Sequence, residues 1–334
     1  MQNKQISLAA RPVGNPKESD FQLILEETPP LSTNDVLVEV QELSLDPAMR
    51  GWMNAGRSYI RPVQIGEVMR AGGGGKVIAS QNPKFAVGDI VTGTMGIQQY
   101  CHVPEGKGLT KIDTRVAPLS TWLSTLGMPG MTAYFGILDV GALKEGDVVV
   151  VSGGAGAVGS VVGQIAKIKG CRVVGIAGGQ DKVDYMVNEL GFDSGIDYKA
   201  GNLQSALRTA CPEGIDVYFD NVGGEILDAC LAMIRTKARI VICGAISQYN
   251  NTEGMVGPKN YLSLLVNRAR MEGMVVFDYA PRYMEAVVAM GGWLKEGKMK
   301  SKEHIVEGGV EDFLPTLMML FTGDKIGKLI LKLV

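Results

Sequence analysis

The sequence predicts an α/β chain built on a doubly wound parallel sheet, together with a second, β-rich unit. Three observations predict it. Residues 148–177 run as a valine-rich strand, a glycine turn, a helical stretch and a second strand. From about Leu126 onward, short apolar strands alternate with helical stretches. Before that point, short strands are broken by Gly and Pro. Strand–helix alternation of this kind gives a parallel sheet with helices on both faces.

The elements follow in order. In the first part, residues 36–40 alternate apolar and polar, and 75–79 and 90–93 read as further short strands. In the second part, strands are expected at 147–152, 172–177, 215–220, 238–243 and 271–277. Helices are expected at 156–169, 182–190, 203–210 and 224–234, and a longer one at 281–295. The tail carries one more strand, 328–334, which returns to the first part. Residues 1–126 with 299–334 are therefore expected to form one unit, and 127–298 the other.

The glycine turn carries the chemistry. Gly154-Ala155-Gly156-Ala157-Val158-Gly159 follows a buried strand and opens a helix, the context a G-x-G-x-x-G needs. Glycines let the backbone approach a pyrophosphate, and the helix start offers N–H groups and the positive dipole end. The competing reading is a tightly packed βα turn that binds nothing. The end of the second strand identifies the dinucleotide. An NAD site places Asp or Glu about 20 residues past the turn, to bind the ribose hydroxyls. Here Gly175-Ile176-Ala177-Gly178-Gly179 has no carboxylate, and Asp181 comes only later. Lys182 can meet a 2′-phosphate as a point charge. NADP(H) is favoured over NAD; the alternative for Lys182 is an ordinary solvated helix residue.

Composition narrows the rest. A chain of 334 residues exceeds one compact core. Net charge is −2 with no long basic run, which argues against nucleic acid or an anionic membrane as partner. The start, MQNKQISLAARP, lacks a signal-peptide stretch, and no apolar run reaches membrane-span length, so the cytoplasm is expected. The 5 cysteines are odd in number and widely spaced, which implies no disulfide framework. Only His102 and His304 are present and no Cys-x2-Cys occurs, so no metal site is expected.

Longer stretches resemble a known family. They are LSLDPAMRGWM (43–53), PVQIGEVMRAGG (62–73), LGMPGMTAYFGILDVG (126–141), GAGAVGS (154–160), FDNVGG (219–224), CGAISQYN (243–250) and RMEGMVVFDY (270–279). In order and spacing the chain resembles the zinc-independent medium-chain dehydrogenases/reductases. Within them it is similar to the NADPH-dependent alkenal/enone reductases, a branch that includes curcumin reductases, 2-alkenal reductases and prostaglandin reductases. The resemblance implies a GroES-like β-rich domain, a Rossmann domain and a homodimer. It also implies roles. Gly156, Ala157, Val158 and Gly159 match the pyrophosphate turn, and Lys182 and Tyr198 the 2′-phosphate positions. Thr132 matches a position near the nicotinamide. Asn221, the stretch Cys243, Gly244, Ala245, Ile246, Ser247, and Val276 and Phe277 match the wall along the cofactor. Asn221 and Cys243-Gly244 also fall at expected strand C-termini, which face the cofactor crevice of such sheets.

Tyr249 is the residue the resemblance places near the substrate carbonyl and along the cofactor. A phenol can donate a hydrogen bond to an oxygen gaining negative charge. Two departures stand out. Lys325 replaces an Asn of the family's GNxGK stretch, so only a backbone contact to the cofactor would survive there. The run Gly72-Gly73-Gly74-Gly75 is richer in glycine than its relatives, either loosening the β-rich unit or forming a plain turn. The reaction implied is NADPH-dependent reduction of the C=C bond of an α,β-unsaturated ketone or aldehyde, a small-molecule substrate. The alternatives are an NADPH:quinone reductase, or a non-catalytic NADPH-binding relative of the crystallin-like or RNA-binding kind.

Overall fold

The structure, a computed structural model, describes residues 1–334. The chain folds as two compact units, Met1–Leu123 with Glu303–Val334, and Ser124–Lys302. The seams fall at 123/124 and 302/303 rather than at 126/127 and 298/299, for reasons of packing. Leu119 and Leu123 pack with Ile112 and Ile330 of the first unit. Lys300 and Ser301 belong to the second: Gln164 brackets the backbone of Lys300, and Thr125 Oγ1 lies 2.7 Å from Ser301 Oγ.

In the first unit, a seven-stranded sheet runs in the order Glu303–Gly308, Lys328–Leu333, Val36–Ser44, Gly72–Ser80, Ile90–Thr94, Thr110–Lys111, with Tyr100–Val103 also paired to Val36–Ser44. Gln2–Leu8 and Phe21–Glu27 form a separate antiparallel pair. The tail is held from within: Lys328 is 1% exposed, and its Nζ donates to Leu45 O at 2.6 Å and Asp46 Oδ1 at 2.8 Å. The four-glycine run is neither loose nor a turn. It opens the strand Gly72–Ser80, opposite a register shift between Val40 and Glu42. A Cβ on Gly75 would lie 2.0 Å from Glu39 O, and one on Gly74 2.6 Å from Leu119 Cδ1. Gly73, Gly74 and Gly75 are there because neighbouring atoms pass too close for a side chain, whereas a Cβ on Gly72 would meet only Ser44 Cβ at 3.6 Å.

The second unit is the doubly wound sheet. Its strands are β1 (Val148–Ser152), β2 (Arg172–Ala177), β3 (Ser194–Asp197), β4 (Ile215–Asp220), β5 (Ile234–Ile242) and β6 (Arg270–Gly273). All pairs are parallel, in the order β3-β2-β1-β4-β5-β6. The order reverses between β1 and β4, and ligands of such sheets bind at the C-terminal ends flanking that point. Its helices are α1 (Met128–Phe135), α2 (Ala157–Ile168), α3 (Gln180–Asp184), α4 (Leu203–Ala210), α5 (Gly224–Leu231), α6 (Leu262–Asn267) and α7 (Tyr283–Lys295). Val150, Val174, Ile176, Tyr218 and Ile240 fill the core beneath them. No helix is long and apolar enough to cross a membrane.

Three expected elements change. The strand 271–277 ends at Gly273, and Val276–Arg282 is a 3-10 turn containing Pro281. The helix 224–234 stops at Leu231, because Ile234 already pairs with Ile215 as the start of β5. The helix 182–190 begins at Gln180 and passes into a wider π turn at Tyr185–Glu189.

Candidate functional site

The glycine turn joins β1 to α2. Gly156 caps α2 with extended backbone, and no side chain caps the helix start. A Cβ on Gly159 would stand 2.3 Å from Gly153 O, and one on Gly154 2.6 Å from Met186 Sδ. The turn can therefore hug the first turn of the helix only with glycine at 159, and a side chain at 154 would have to displace Met186. Ala157 and Val158 fill the outer positions of that turn and are half-buried. The result is a bare backbone cradle with uncapped N–H groups, the form a pyrophosphate needs.

At the switch point a buried carboxylate orders the loops. Asp220, 1% exposed, ends β4. Its Oδ1 accepts from Ser152 Oγ at 3.0 Å, Tyr218 Oη at 2.7 Å, Val222 N at 3.0 Å and Gly223 N at 2.9 Å. Burial, then the charge of Asp220, pushes the Tyr218 phenol well above its usual pKa, which keeps it a donor. Asn221 follows. Its backbone N–H donates to Ser152 Oγ at 2.9 Å and its Nδ2 to Ser152 O at 2.8 Å, so the end of β4 is latched to the end of β1. A Cβ on Gly153 would lie 3.6 Å from Asn221 Cβ, so Asn221 borders the cradle.

The stretch after β5 packs on the same corner. Cys243 N and Gly244 N donate to Asp220 O at 2.9 and 3.1 Å. Ile246 N donates to Asn221 O at 3.2 Å, and Ser247 Oγ to Val222 O at 2.6 Å. Tyr249 folds back over this stretch. Its hydroxyl accepts the Ala245 N–H at 3.2 Å, and a Cβ on Gly244 would stand 2.9 Å from that oxygen.

A second corner lies at the ends of β2 and β3. Gly178 is covered by two side chains, since a Cβ there would be 2.9 Å from both Tyr198 Cε1 and Lys199 Cε. A side chain at Gly178 would have to displace the Tyr198 ring and the end of the Lys199 side chain. Gly179 caps α3 at φ 103°, a conformation that favours glycine. Its N–H donates to Asp197 Oδ1 at 2.9 Å, as does that of Lys199. Lys182 lies on α3, and with Lys199 its charge helps hold Asp197 below the usual carboxylate range.

Four other expected residues make bonds of their own. Thr132, on α1, donates to Met128 O at 2.8 Å. Val276 and Phe277 lie on the 3-10 turn, and Val276 O accepts from Tyr283 Oη at 3.0 Å. Lys325 belongs to the β-rich unit, where Nζ donates to Gly327 O at 3.0 Å. No group of three or more His, Cys, Asp or Glu side chains is placed to hold a metal ion. The sequence reading missed Asp220, Asp197 and Lys199. The signal for Asp220 was present: an acid at the end of an apolar strand, just before Asn-Val-Gly-Gly.

Comparison with known proteins fits this geometry. Residues 4–112 match the family described as N-terminal domain of oxidoreductase, and residues 157–291 that described as zinc-binding dehydrogenase. The NADPH-dependent curcumin reductase of Escherichia coli is 41% identical, covering 99% of this chain and 96% of the relative. This chain is a medium-chain dehydrogenase/reductase of the alkenal/enone reductase branch. The NADP(+)-dependent 2-alkenal reductase of Nicotiana tabacum is 42% identical over 98% of this reductase and 96% of its own length. The crystal structure of CurA from Vibrio vulnificus in complex with NADPH superposes on the reductase with a TM-score of 0.94, at 43% identity and 99% coverage of both chains.

Proposed function

We propose that the chain is an NADPH-dependent reductase of the C=C bond of α,β-unsaturated ketones and aldehydes. One observation carries the cofactor assignment: a bare glycine cradle at β1–α2, with a β2 end that carries no carboxylate and is flanked by Lys182, Tyr198 and Lys199. Gly156, Ala157, Val158 and Gly159 would hold the pyrophosphate, and Lys182 and Tyr198 the 2′-phosphate. Asn221, Cys243 to Ser247, Val276 and Phe277 would line the cofactor, with Thr132 toward the nicotinamide. Bound NADPH supplies a hydride to the β-carbon of the conjugated system.

The chain's own residues do the rest. The Asp220–Ser152–Asn221 latch fixes the two strand ends, so the cradle and the wall keep their geometry. Tyr249, tethered through its hydroxyl to the Ala245 N–H, is the catalytic candidate. A phenol oxygen that accepts a backbone N–H still carries a proton to donate. That proton would bond the carbonyl oxygen as charge builds there, a contribution largest when the donor is already oriented. No step here calls on a metal, and we infer zinc independence.

The reductase is further proposed to be a homodimer. β6 is a sheet edge whose 4 residues are all exposed, and α6, which packs on β5, exposes Leu265 at 75% and Val266 at 70%. A second copy would cover such an edge. Its 5 free cysteines suit a reducing compartment, and we place it in the cytosol.

The test is a panel of enones, enals and quinones with NADPH and with NADH, following the nicotinamide absorbance. Turnover of enones and enals with NADPH well ahead of NADH is expected. Turnover confined to quinones, or none with any acceptor, would overturn the reading.

A further inference from the structure

A second lysine stands where the family resemblance supplies one. Asp197 pairs in parallel register with Ala177, so the turn after β3, Tyr198–Ala200, passes beside Gly178 at the end of β2. A Cβ on Gly178 would lie 2.9 Å from Lys199 Cε, as close as to Tyr198 Cε1. The Lys199 stem therefore crosses the strand end next to the Tyr198 ring, and its ammonium lies one bond further on. The side chain is exposed and makes no hydrogen bond or salt bridge. Its root is fixed, because Lys199 N donates to Asp197 Oδ1 at 2.9 Å. The charges of Lys199 and Lys182 both act on the Asp197 carboxylate, which puts the two ammonium groups at one corner.

The charge at this corner calls for both. Asp197 ends β3, and a Cβ on Gly179 would stand 2.7 Å from Asp181 Oδ1, so two carboxylates lie at the start of α3. A phosphate monoester brings a further charge of about −1.5 to −2 at neutral pH. Lys182 alone would be outnumbered there, and like charges drawn together oppose binding. An ammonium is a compact point charge on a flexible stem, able to meet a phosphate oxygen without a fixed fork. Lys199 breaks no existing bond in doing so.

We propose that Lys199 binds the 2′-phosphate together with Lys182 and so helps select NADPH over NADH, a role that rests on the NADPH reading of the site.

Isothermal titration of the whole protein with 2′,5′-ADP and with 5′-ADP tests it, since the two differ only in the 2′-phosphate. The natural protein is expected to prefer 2′,5′-ADP. Lys199→Gln should cut that preference about fivefold to twentyfold and leave 5′-ADP unchanged, and Lys199→Arg should keep most of it. In about 1 M salt, where the screening length is about 3 Å, the deficit of Lys199→Gln should persist. The backbone bond to Asp197 survives in both variants, so a fault of structure alone would weaken both ligands alike and would contradict the assignment. A preference unchanged in Lys199→Gln but lost in Lys182→Gln would overturn the role of Lys199 and leave the NADPH reading standing. A deficit that vanishes in high salt would show a field effect without contact and would also overturn that role. No preference for 2′,5′-ADP in the natural protein would overturn both.

Discussion

Asp197 Oδ1 accepts the backbone N–H of Gly179 at 2.9 Å, closing the end of β3 onto the start of α3. The Gly179 N–H is the main cause holding this carboxylate below its usual range; desolvation opposes it, and the Lys199 N–H, Lys199 and Lys182 add to it. The stability it contributes is complete above the unfolded pKa of about 3.9 and is lost as pH falls through the lower folded value. At neutral pH Asp197 is therefore an anion beside the proposed 2′-phosphate site, offset by Lys182 and Lys199.

Asp197→Asn keeps an acceptor for both N–H groups and removes the charge. It should tighten NADPH about twofold to fivefold, a screened surface effect, and leave NADH nearly unchanged. Asp197→Ala also releases Gly179 and should weaken both cofactors. Fluorescence titration of the two cofactors measures this; loss of NADPH affinity alone in Asp197→Asn would contradict it.

Lys182→Ala should weaken NADPH by about 1.5–3 kcal/mol and barely affect NADH, because one charge-assisted bond to the 2′-phosphate is lost. The same titration reads it. Equal weakening of both cofactors would remove Lys182 from the 2′-phosphate site.

Much of the parallel sheet was legible because its strands are buried apolar runs bounded by Gly, Asp or Pro. Ile215–Asp220 and Leu203–Ala210 lie where periodicity puts them. What failed was decided by partners distant in sequence. Gly72 to Gly75 read as turn chemistry but pair with Ser44 back to Val40 as a strand. The run 274–277 has strand composition, yet no neighbouring strand pairs beyond Gly273. At the site, the cradle and the carboxylate-free end of β2 follow from one local stretch. Asp197 ends the next strand and Lys199 lies on the turn after it, and only the parallel register of β3 on β2 brings them to Gly178 and Gly179.

Gly159→Ala tests the cradle without touching charge. Its Cβ would press 2.3 Å against Gly153 O, backbone that cannot step aside as a flexible side chain can. A loss of about 1–3 kcal/mol in stability is expected, with both cofactors weakened alike. Thermal unfolding and cofactor titration check it, and a wild-type melting curve with unchanged affinities would refute the close approach.

None of the cysteines should react quickly. Burial pushes the thiols of Cys101, Cys171 and Cys211 up to about 11, that of Cys243 up to about 12 and that of Cys230 well above its usual value. At pH 8 a thiol-reactive dye should count almost no fast groups in the native reductase and 5 after denaturation. A fast thiol in the native state would locate an opening the packing does not provide.

Tyr249→Phe should lower the hydride-transfer rate about tenfold to a hundredfold, or roughly 1.4–2.8 kcal/mol, with NADPH affinity little changed. Single-turnover kinetics on one small and one bulky enone reads this. If Tyr249 only shapes the wall, the Michaelis constants shift instead and the single-turnover rates stay at wild type.

The central claim, hydride delivery from NADPH to the β-carbon of an enone, is tested most directly by isotope placement. The reductase is incubated with NADPH deuterated at C4 of the nicotinamide and a simple enone, and the product is read by NMR. The account predicts one deuterium on the β-carbon, a solvent-derived proton on the α-carbon and an intact carbonyl. Deuterium on the carbonyl carbon, giving an allylic alcohol, would contradict it.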